Sequence, residues 1–355
     1  MKQLSQIYLF SLLILGLAGC TSSHFYSQAI RGQLALLTER VPISNVLADQ
    51  STPDELRNAL TTAVNVREFA RHSLSLPVGD TFQDYVSLDR PYVVVNLVAV
   101  PAFSLKPHQW CYPFIGCQAY RGYFDLEDAR EERAEFSEEG YDTFIGGVTA
   151  YSTLGWFDDP IHSGFTRLRD DRMAALIIHE LSHKVIYVAG DTAFNESFAT
   201  AVELEGLKRW LNNQGEEARF QQTLARLAHR RQTLALVKAT AARLEALYDK
   251  ATILPEQTLT ARKSSLLARL RADYKSLQQG WSEPGPFGRP VPPLNNANIA
   301  LFQQYNQYVP GFRELLHEHH DDFPAFYAAV RQLAEAPAEK RHASLERLGS
   351  INPAL

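Results

Sequence analysis

His179-Glu180-Leu181-Ser182-His183 sits inside an apolar run, with Met173-Ala174-Ala175-Leu176-Ile177-Ile178 before it and Val185-Ile186-Tyr187-Val188 after it. Asp170 and Asp171 stand where a first helical turn favours acids, and Gly190 stands where a helix would stop, so the stretch predicts a helix over 170–190. On a helix, positions four apart are separated by about 400°, which leaves His179 and His183 on one face about 40° apart. Two imidazoles one turn apart can grip a single Zn²⁺. Glu180 points about 100° round from His179, where a carboxylate can take the proton of a water on the metal. The bland alternative is a pair of packed core histidines. A buried apolar helix does not spend two His and a Glu on one stripe without partners, because each unpaired polar group costs roughly 1–3 kcal/mol.

Catalytic zinc takes three protein ligands and keeps a fourth position open. Downstream runs Gly190-Asp191-Thr192-Ala193-Phe194-Asn195-Glu196-Ser197-Phe198-Ala199-Thr200-Ala201-Val202-Glu203. Gly190 closes one helix and Asp191 or Thr192 caps the next. Glu196 then falls in the first turns of a second helix, among small and apolar neighbours that give an acid no reason to be there without a cation or a donor. The 12 residues from 184 to 195 allow the chain to turn and come back antiparallel, so Glu196 is the expected third ligand, with Asp191 and Glu203 as competitors. Glu203, seven residues on, shares nearly the same helical face. It reads either as an acceptor for an imidazole N–H or as a solvated helix acid.

The stretch from His179 to Glu203 resembles the glutamate-zincin arrangement, and Asn195-Glu196-Ser197-Phe198-Ala199 is like the Asn-Glu-x-x-Ala element of that clan. Beyond it, the segments Tyr26 to Leu36, Cys111 to Phe124 and Tyr141 to Ile161 resemble a family of bacterial envelope lipoproteins described as aminopeptidases. The resemblance implies one zinc ion, a peptide substrate and hydrolysis with Glu180 as general base. In zincins an edge strand beside the active helix commonly pairs with the substrate backbone. By resemblance the Gly146-Gly147 segment, with Tyr151 beyond it, is the candidate for that role; an ordinary bulged strand is the alternative.

Lys2 followed by the apolar run Ile7 to Leu17 reads as a secretory signal too short to span about 30 Å of hydrocarbon. It ends Leu17-Ala18-Gly19-Cys20, which resembles a bacterial lipobox. The expectation is therefore a signal peptide over 1–19 and an acylated Cys20 holding the chain to the bilayer on the periplasmic side. Thr21 rather than Asp follows the cysteine, which by family analogy favours the outer membrane. That leaves Cys111 and Cys117, spaced by a Pro- and Gly-containing loop, as a disulfide in an oxidising compartment or as two free thiols.

The remaining 20–355 are expected to form a single zincin-like domain of α+β class, mostly helical, with a small sheet beside the active-site helix. At 45% apolar residues and net charge −5, the chain can bury a substantial core, and its mild acidity argues against nucleic acid as a partner. Phe25 to Glu39 and Pro53 to Ser75 look helical. Tyr92 to Val100 and Tyr141 to Ser152 look like strands. Residues 214–278, broken at Pro255, read as a long antiparallel helical hairpin, with Arg226, His229, Arg230 and Arg231 as its solvated face. The Pro- and Gly-rich stretch 280–294 is either a linker or a rim over the site.

A developing oxyanion needs a donor besides the metal, and Tyr305 is the first choice, ahead of Tyr308 and Tyr151. Two classes of function follow: a zinc peptidase, or an envelope scaffold that keeps zinc for stability. Glu180 separates them, since a structural site needs no general base.

Overall fold

The computed structural model describes residues 20–112, 116–148, 159–304 and 307–351. Its architecture is α+β and mostly helical. Helix α1 (Cys20–Thr38) leads into β1 (Val41–Pro42), α2 (Ile43–Ala48) and α3 (Asp54–Ser73). Then come β2 (Asp84–Val86), β3 (Val94–Pro101), β4 (Trp110–Tyr112), β5 (Gly116–Gln118), β6 (Arg121–Tyr123), α4 (Leu126–Glu138), β7 (Tyr141–Val148) and β8 (Ile161–His162). A short α5 (Ser163–Thr166) precedes α6 (Asp170–Ser182) and α7 (Thr192–Asn213), which carry the motif and the second acid cluster. The pair α8 (Glu217–Tyr248) and α9 (Glu256–Leu277) forms the hairpin, and α10 (Asn296–Gln304), α11 (Val309–Glu318), α12 (Phe323–Ala334) and α13 (Ala338–Ile351) complete the chain. No helix among the described residues is long and apolar enough to cross a membrane.

The main core lies around α3, α6, α7, α11 and α12. Leu60, Val66, Ile177, Ile178, Phe194, Phe198, Phe312 and Phe326 are all sealed from solvent there. Helix α7 is apolar nearly all round, with Phe194, Phe198, Ala199, Ala201, Val202 and Leu204 buried, which is the pattern of a central rather than a surface helix. Gly206 sets how closely α7 can approach α6. A Cβ there would come within 2.7 Å of Leu74 Cδ1 and 3.0 Å of Ile178 Cγ2. Close packing of this pair fixes the spacing of everything the two helices carry.

Three short sheets complete the fold. One has the order β1-β2-β8, with β2 and β8 parallel, and delivers the chain into α5 and α6. The second, β6-β3-β7, is antiparallel, with β7 on its edge. Side chains alternate faces along β3. Val95, Leu97 and Ala99 therefore pack towards Phe25, Trp110 and Ala129, while Val98 and Val100 pack towards Ala297 and Ala300 on α10. The third sheet is the β4–β5 hairpin, in which Cys111 stands directly opposite Cys117 and is disulfide-bonded to it. A staple across so short a loop stabilises by about 2 kcal/mol in chain entropy.

Two expectations are revised. The predicted helix over 170–190 stops at Ser182, with His183 as its cap, and 184–190 is a turn. Asn195 explains the early end: its side chain accepts from Val188 N–H (2.9 Å) and donates to Val188 O (2.8 Å), drawing that backbone out of the helical ladder. The cationic face of α8 is also not simply solvated. Arg226 lies 3.7 Å from Asp171 and 3.8 Å from Glu283, His229 stacks on Trp281, and Arg230 lies over the Phe302 ring. The Pro- and Gly-rich stretch 280–294 is packed through Trp281 and Val291 and reaches α6 through Glu283, which pairs with Arg172 at 3.4 Å. It is fastened to the hairpin, with Phe287 N–H donating to the Tyr274 hydroxyl and Arg271 donating to Val291 O.

Candidate functional site

Helix α6 is long enough to bury Met173, Ile177, Ile178 and Leu181 on one stripe and to present His179 and Glu180, both half-buried, beside it. His183, the C-cap residue, keeps helical dihedrals (φ −60°, ψ −20°), so the i, i+4 relation survives although the helix ends there. The two rings lie edge to face with centroids 5.1 Å apart. Helix α7 returns alongside. Asp191, expected as either a cap or a competing ligand, is the cap: its carboxylate accepts from Phe194 N–H at 3.1 Å.

That placement brings the Glu196 carboxylate 3.3 Å from His179 Nε2 and 3.8 Å from His183 Nε2. One ligand atom from each of the three residues lies within 4.8 Å of the others, and they form the one such cluster among the described residues. Glu203 Oε2 sits 3.0 Å from His179 Nδ1. A carboxylate can only accept, so Nδ1 carries a proton towards Glu203, and in the metal-free site Nε2 carries a second one towards Glu196, which a bound metal would replace. His183 Nδ1 is buried with no hydrogen-bond partner among the described residues.

The electrostatics are those of a carboxylate-rich pocket. Burial opposes a charge on His179, but its hydrogen bonds to Glu196 and Glu203 outweigh burial and raise its pKa well above the usual imidazole range. Burial pushes Glu196 up, yet the hydrogen bond and charge of His179 bring it below the usual carboxylate value. His183 is pushed down to about 4 by burial and by the neighbouring His179 charge. Burial raises Glu180 to about 7; His179 pulls it down, while Glu196, Asp159 and Glu203 push it up. A base poised near neutrality next to a cluster with two imidazole Nε2 atoms and a carboxylate is suited to taking a proton and handing it on. The donor set, two imidazoles and one carboxylate, fits a zinc ion with an open position. The His183 ring, neutral at pH 7, turns Nε2 towards Glu196, where it is available for such an ion.

The chain belongs to the family described as "Putative aminopeptidase". The family model matches residues 24–345, which takes in both helices of the site and all three described sheets. No curated protein and no solved structure matches the chain.

Of the other residues singled out in the sequence, Gly146 and Gly147 lie on β7, paired with Asn96 and Val95, on the edge of the sheet and outside the ligand cluster. The Phe144 ring folds over Gly146, where a Cβ would come within 2.7 Å of it. Tyr151 and Tyr305 lie outside the described residues, as does the 1–19 segment. Cys20 is the first residue of α1. Tyr308 is buried and stacks on His342, with its backbone N–H donating to Ser197, so it is a packing residue. Sequence reasoning missed two tyrosines that share the electrostatics of the site: Tyr120, in the turn before β6, and Tyr187, four residues after His183. Neither has a helical or strand periodicity that points at the motif, since both lie outside the helices and strands.

Proposed function

We propose that this chain is a zinc-dependent peptide hydrolase of the bacterial envelope, acting as an aminopeptidase and tethered by an acylated Cys20 to the periplasmic side of the outer membrane. The observation that carries the reading is the convergence of His179 Nε2, His183 Nε2 and the Glu196 carboxylate within 4.8 Å, with Glu180 alongside but outside the set. A bound zinc ion would supply Lewis acidity for the peptide carbonyl and acidify a water. The remaining chemistry falls to side chains of this chain. Glu180, with a pKa of about 7, removes a proton from the attacking water and returns it to the departing amine. Glu203 locks the His179 tautomer so that Nε2, not Nδ1, faces the cluster. Glu196 would offset part of the charge of a bound cation.

Glu180→Gln keeps size and hydrogen bonding while removing the base. On a panel of unblocked peptides, the variant should retain zinc and lose turnover by about 10²- to 10⁴-fold. Hydrolysis at the wild-type rate would refute the assignment and leave a zinc-stabilised scaffold as the reading. Acetylating the amino terminus of each peptide tests the exopeptidase half: equal cleavage of blocked and free peptides would remove the aminopeptidase label. Membrane release on Cys20→Ser, with loss of acyl mass from the amino-terminal fragment, tests the anchor.

A further inference from the structure

Helix α1 has two faces of different character. Phe25, Gln28 and Leu36 are buried on one of them. That face is fastened to β6 and its exit: Gln28 Oε1 accepts from Phe124 N–H at 2.9 Å, and the Arg121 guanidinium lies 3.8 Å from the centroid of the Phe25 ring. Phe124 also lies directly against Gly32, where no room remains for a Cβ. On the far side, Tyr26, Ile30 and Leu34 are 45%, 59% and 53% exposed. They follow one another at four-residue steps, so together they cover about 80° of the helix circumference. The other exposed large apolar side chains among the described residues, Val41, Tyr187, Ile253 and Ile351, lie singly on separate segments, as on any protein surface. A continuous apolar stripe marks a contact surface.

The chemistry of α1 points to one occupant. The helix holds no acid, and its one Lys or Arg, the exposed Arg31, stands about 100° round from Ile30, beside the stripe. A cation flanking apolar side chains and a tyrosine suits the boundary between phosphate headgroups and acyl chains. The helix is not long and apolar enough to cross a membrane. Its first residue is Cys20, which places Tyr26 about 9 Å and Leu34 about 21 Å along the axis from the proposed acyl chains. A bilayer held at that point is presented to the stripe at high effective concentration. We propose that α1 is an interfacial helix whose Tyr26, Ile30 and Leu34 rest in the headgroup region of the bilayer to which Cys20 tethers the chain. The inference rests on the anchored reading of Cys20. Because the opposite face of α1 is fixed to β6, the contact holds the whole β6-β3-β7 sheet in one orientation to the membrane instead of letting it swing on its tether.

Nitroxide labels on Ile30→Cys and on Leu34→Cys test this in the full chain, reconstituted in vesicles of phosphatidylethanolamine and phosphatidylglycerol. Glu245→Cys on α8 serves as the reference. All three positions are exposed, so the labels displace no packing. Cys111 and Cys117 are disulfide-bonded and take no label, and the parent chain treated alike supplies the background. Collisions with a water-soluble nickel chelate should be about tenfold rarer at 30 and 34 than at 245, and collisions with oxygen about twofold more frequent. Equal chelate access at all three positions overturns the proposal. Exclusion of both reagents at 30 and 34, with spin–spin broadening, puts a second copy of the chain over the stripe and overturns it as well. The mass of the amino-terminal fragment reads the anchor separately. Acyl mass with labels that meet only water refutes the docked helix and keeps the anchor; labels that meet lipid without acyl mass refute the anchor and keep the apolar contact.

Discussion

Helix α7 carries two carboxylate–histidine clusters, one at its N-cap and one a turn further on, and they are built to opposite ends. At the cap, Asp191 accepts from Arg341 Nε and from His342 Nε2, both at 2.7 Å, as well as from Phe194 N–H. Burial pushes that carboxyl up, but His342, Arg341 and the backbone bond together bring it below the usual value. In the site, Glu196 and Glu203 pair instead with the imidazoles of His179 and His183. A guanidinium is a permanent cation and cannot leave. An imidazolium can give up its proton, so the second cluster can exchange that charge for a divalent ion. On the zinc reading proposed above, the first is a closed structural tie and the second an exchangeable one.

The sharpest way to break the contrast is to remove an exchangeable partner. Glu196→Ala, His179→Ala and His183→Ala should each leave the purified protein with little zinc and lower peptide turnover by more than about 10³-fold, read by elemental analysis and initial rates. Full zinc occupancy in Glu196→Ala would move the third ligand elsewhere. The matching change at the cap is Arg341→Met, which removes the permanent cation from the buried Asp191 and leaves it His342 and the Phe194 N–H. It should cost about 3–5 kcal/mol of folding stability by denaturant titration, with the loss not repaired by added zinc. Repair by zinc would mean that the cap cluster is itself exchangeable.

The site was more legible in the sequence than the walls around it. The pairing of His179 with His183 could be read because a four-residue spacing puts two side chains on one helical face. Glu196 followed from the length of the turn, and Glu203 from a seven-residue step along α7, although sequence left it open between a surface acid and an imidazole partner. The helical elements and the hairpin were visible through their 3.6-residue period and Pro255. The end of α6 was not, because Asn195 captures the Val188 backbone through two tertiary hydrogen bonds that no local propensity encodes. Tyr120 and Tyr187 were likewise hidden. Their segments come together only once the β4–β5 hairpin lays Gln118 against Tyr187, and Arg226 on α8 found acids more than 50 residues away in sequence.

A third imidazole sharpens the comparison, since it has a buried ring and no carboxylate. His162 is 3% exposed; its Nδ1 accepts from Gly164 N–H at 3.0 Å, and its Nε2 has no partner among the described residues. Burial, with help from Arg90, pushes its pKa down to about 4. Above about pH 6.5 neither folded nor unfolded chain protonates the ring and its contribution is constant. Below that, the unfolded chain takes up a proton that the native ring refuses, so stability falls as pH drops towards 4, by about 3 kcal/mol in all. His162→Asn retains an acceptor for Gly164 N–H and should flatten this part of the profile. Denaturant midpoints at pH 7, 5.5 and 4.5 measure it; an unchanged difference between wild type and variant across that range would show that His162 does not titrate as described.

The smallest effect concerns what Glu203 does for His179. Its carboxylate holds the Nδ1 proton and, with Glu196, raises the affinity of the ring for a second proton. A metal must displace that second proton, so apparent zinc affinity should rise with pH, by up to tenfold per unit, until pH exceeds the raised His179 value. Glu203→Gln keeps an acceptor but lowers its charge. Two opposing consequences follow: the ring becomes a weaker ligand, and the competing proton is held less tightly. Near neutral pH the weaker ligand should dominate, with zinc affinity falling by about 10- to 100-fold. Towards acid pH the gap between wild type and variant should narrow, because the proton penalty is smaller in the variant. Competition titrations against a chelator at pH 6 and pH 8 separate the two terms. A gap that is constant with pH would mean that Glu203 orients the ring without affecting its proton, and the site would then be less exchangeable than the contrast with Asp191 requires.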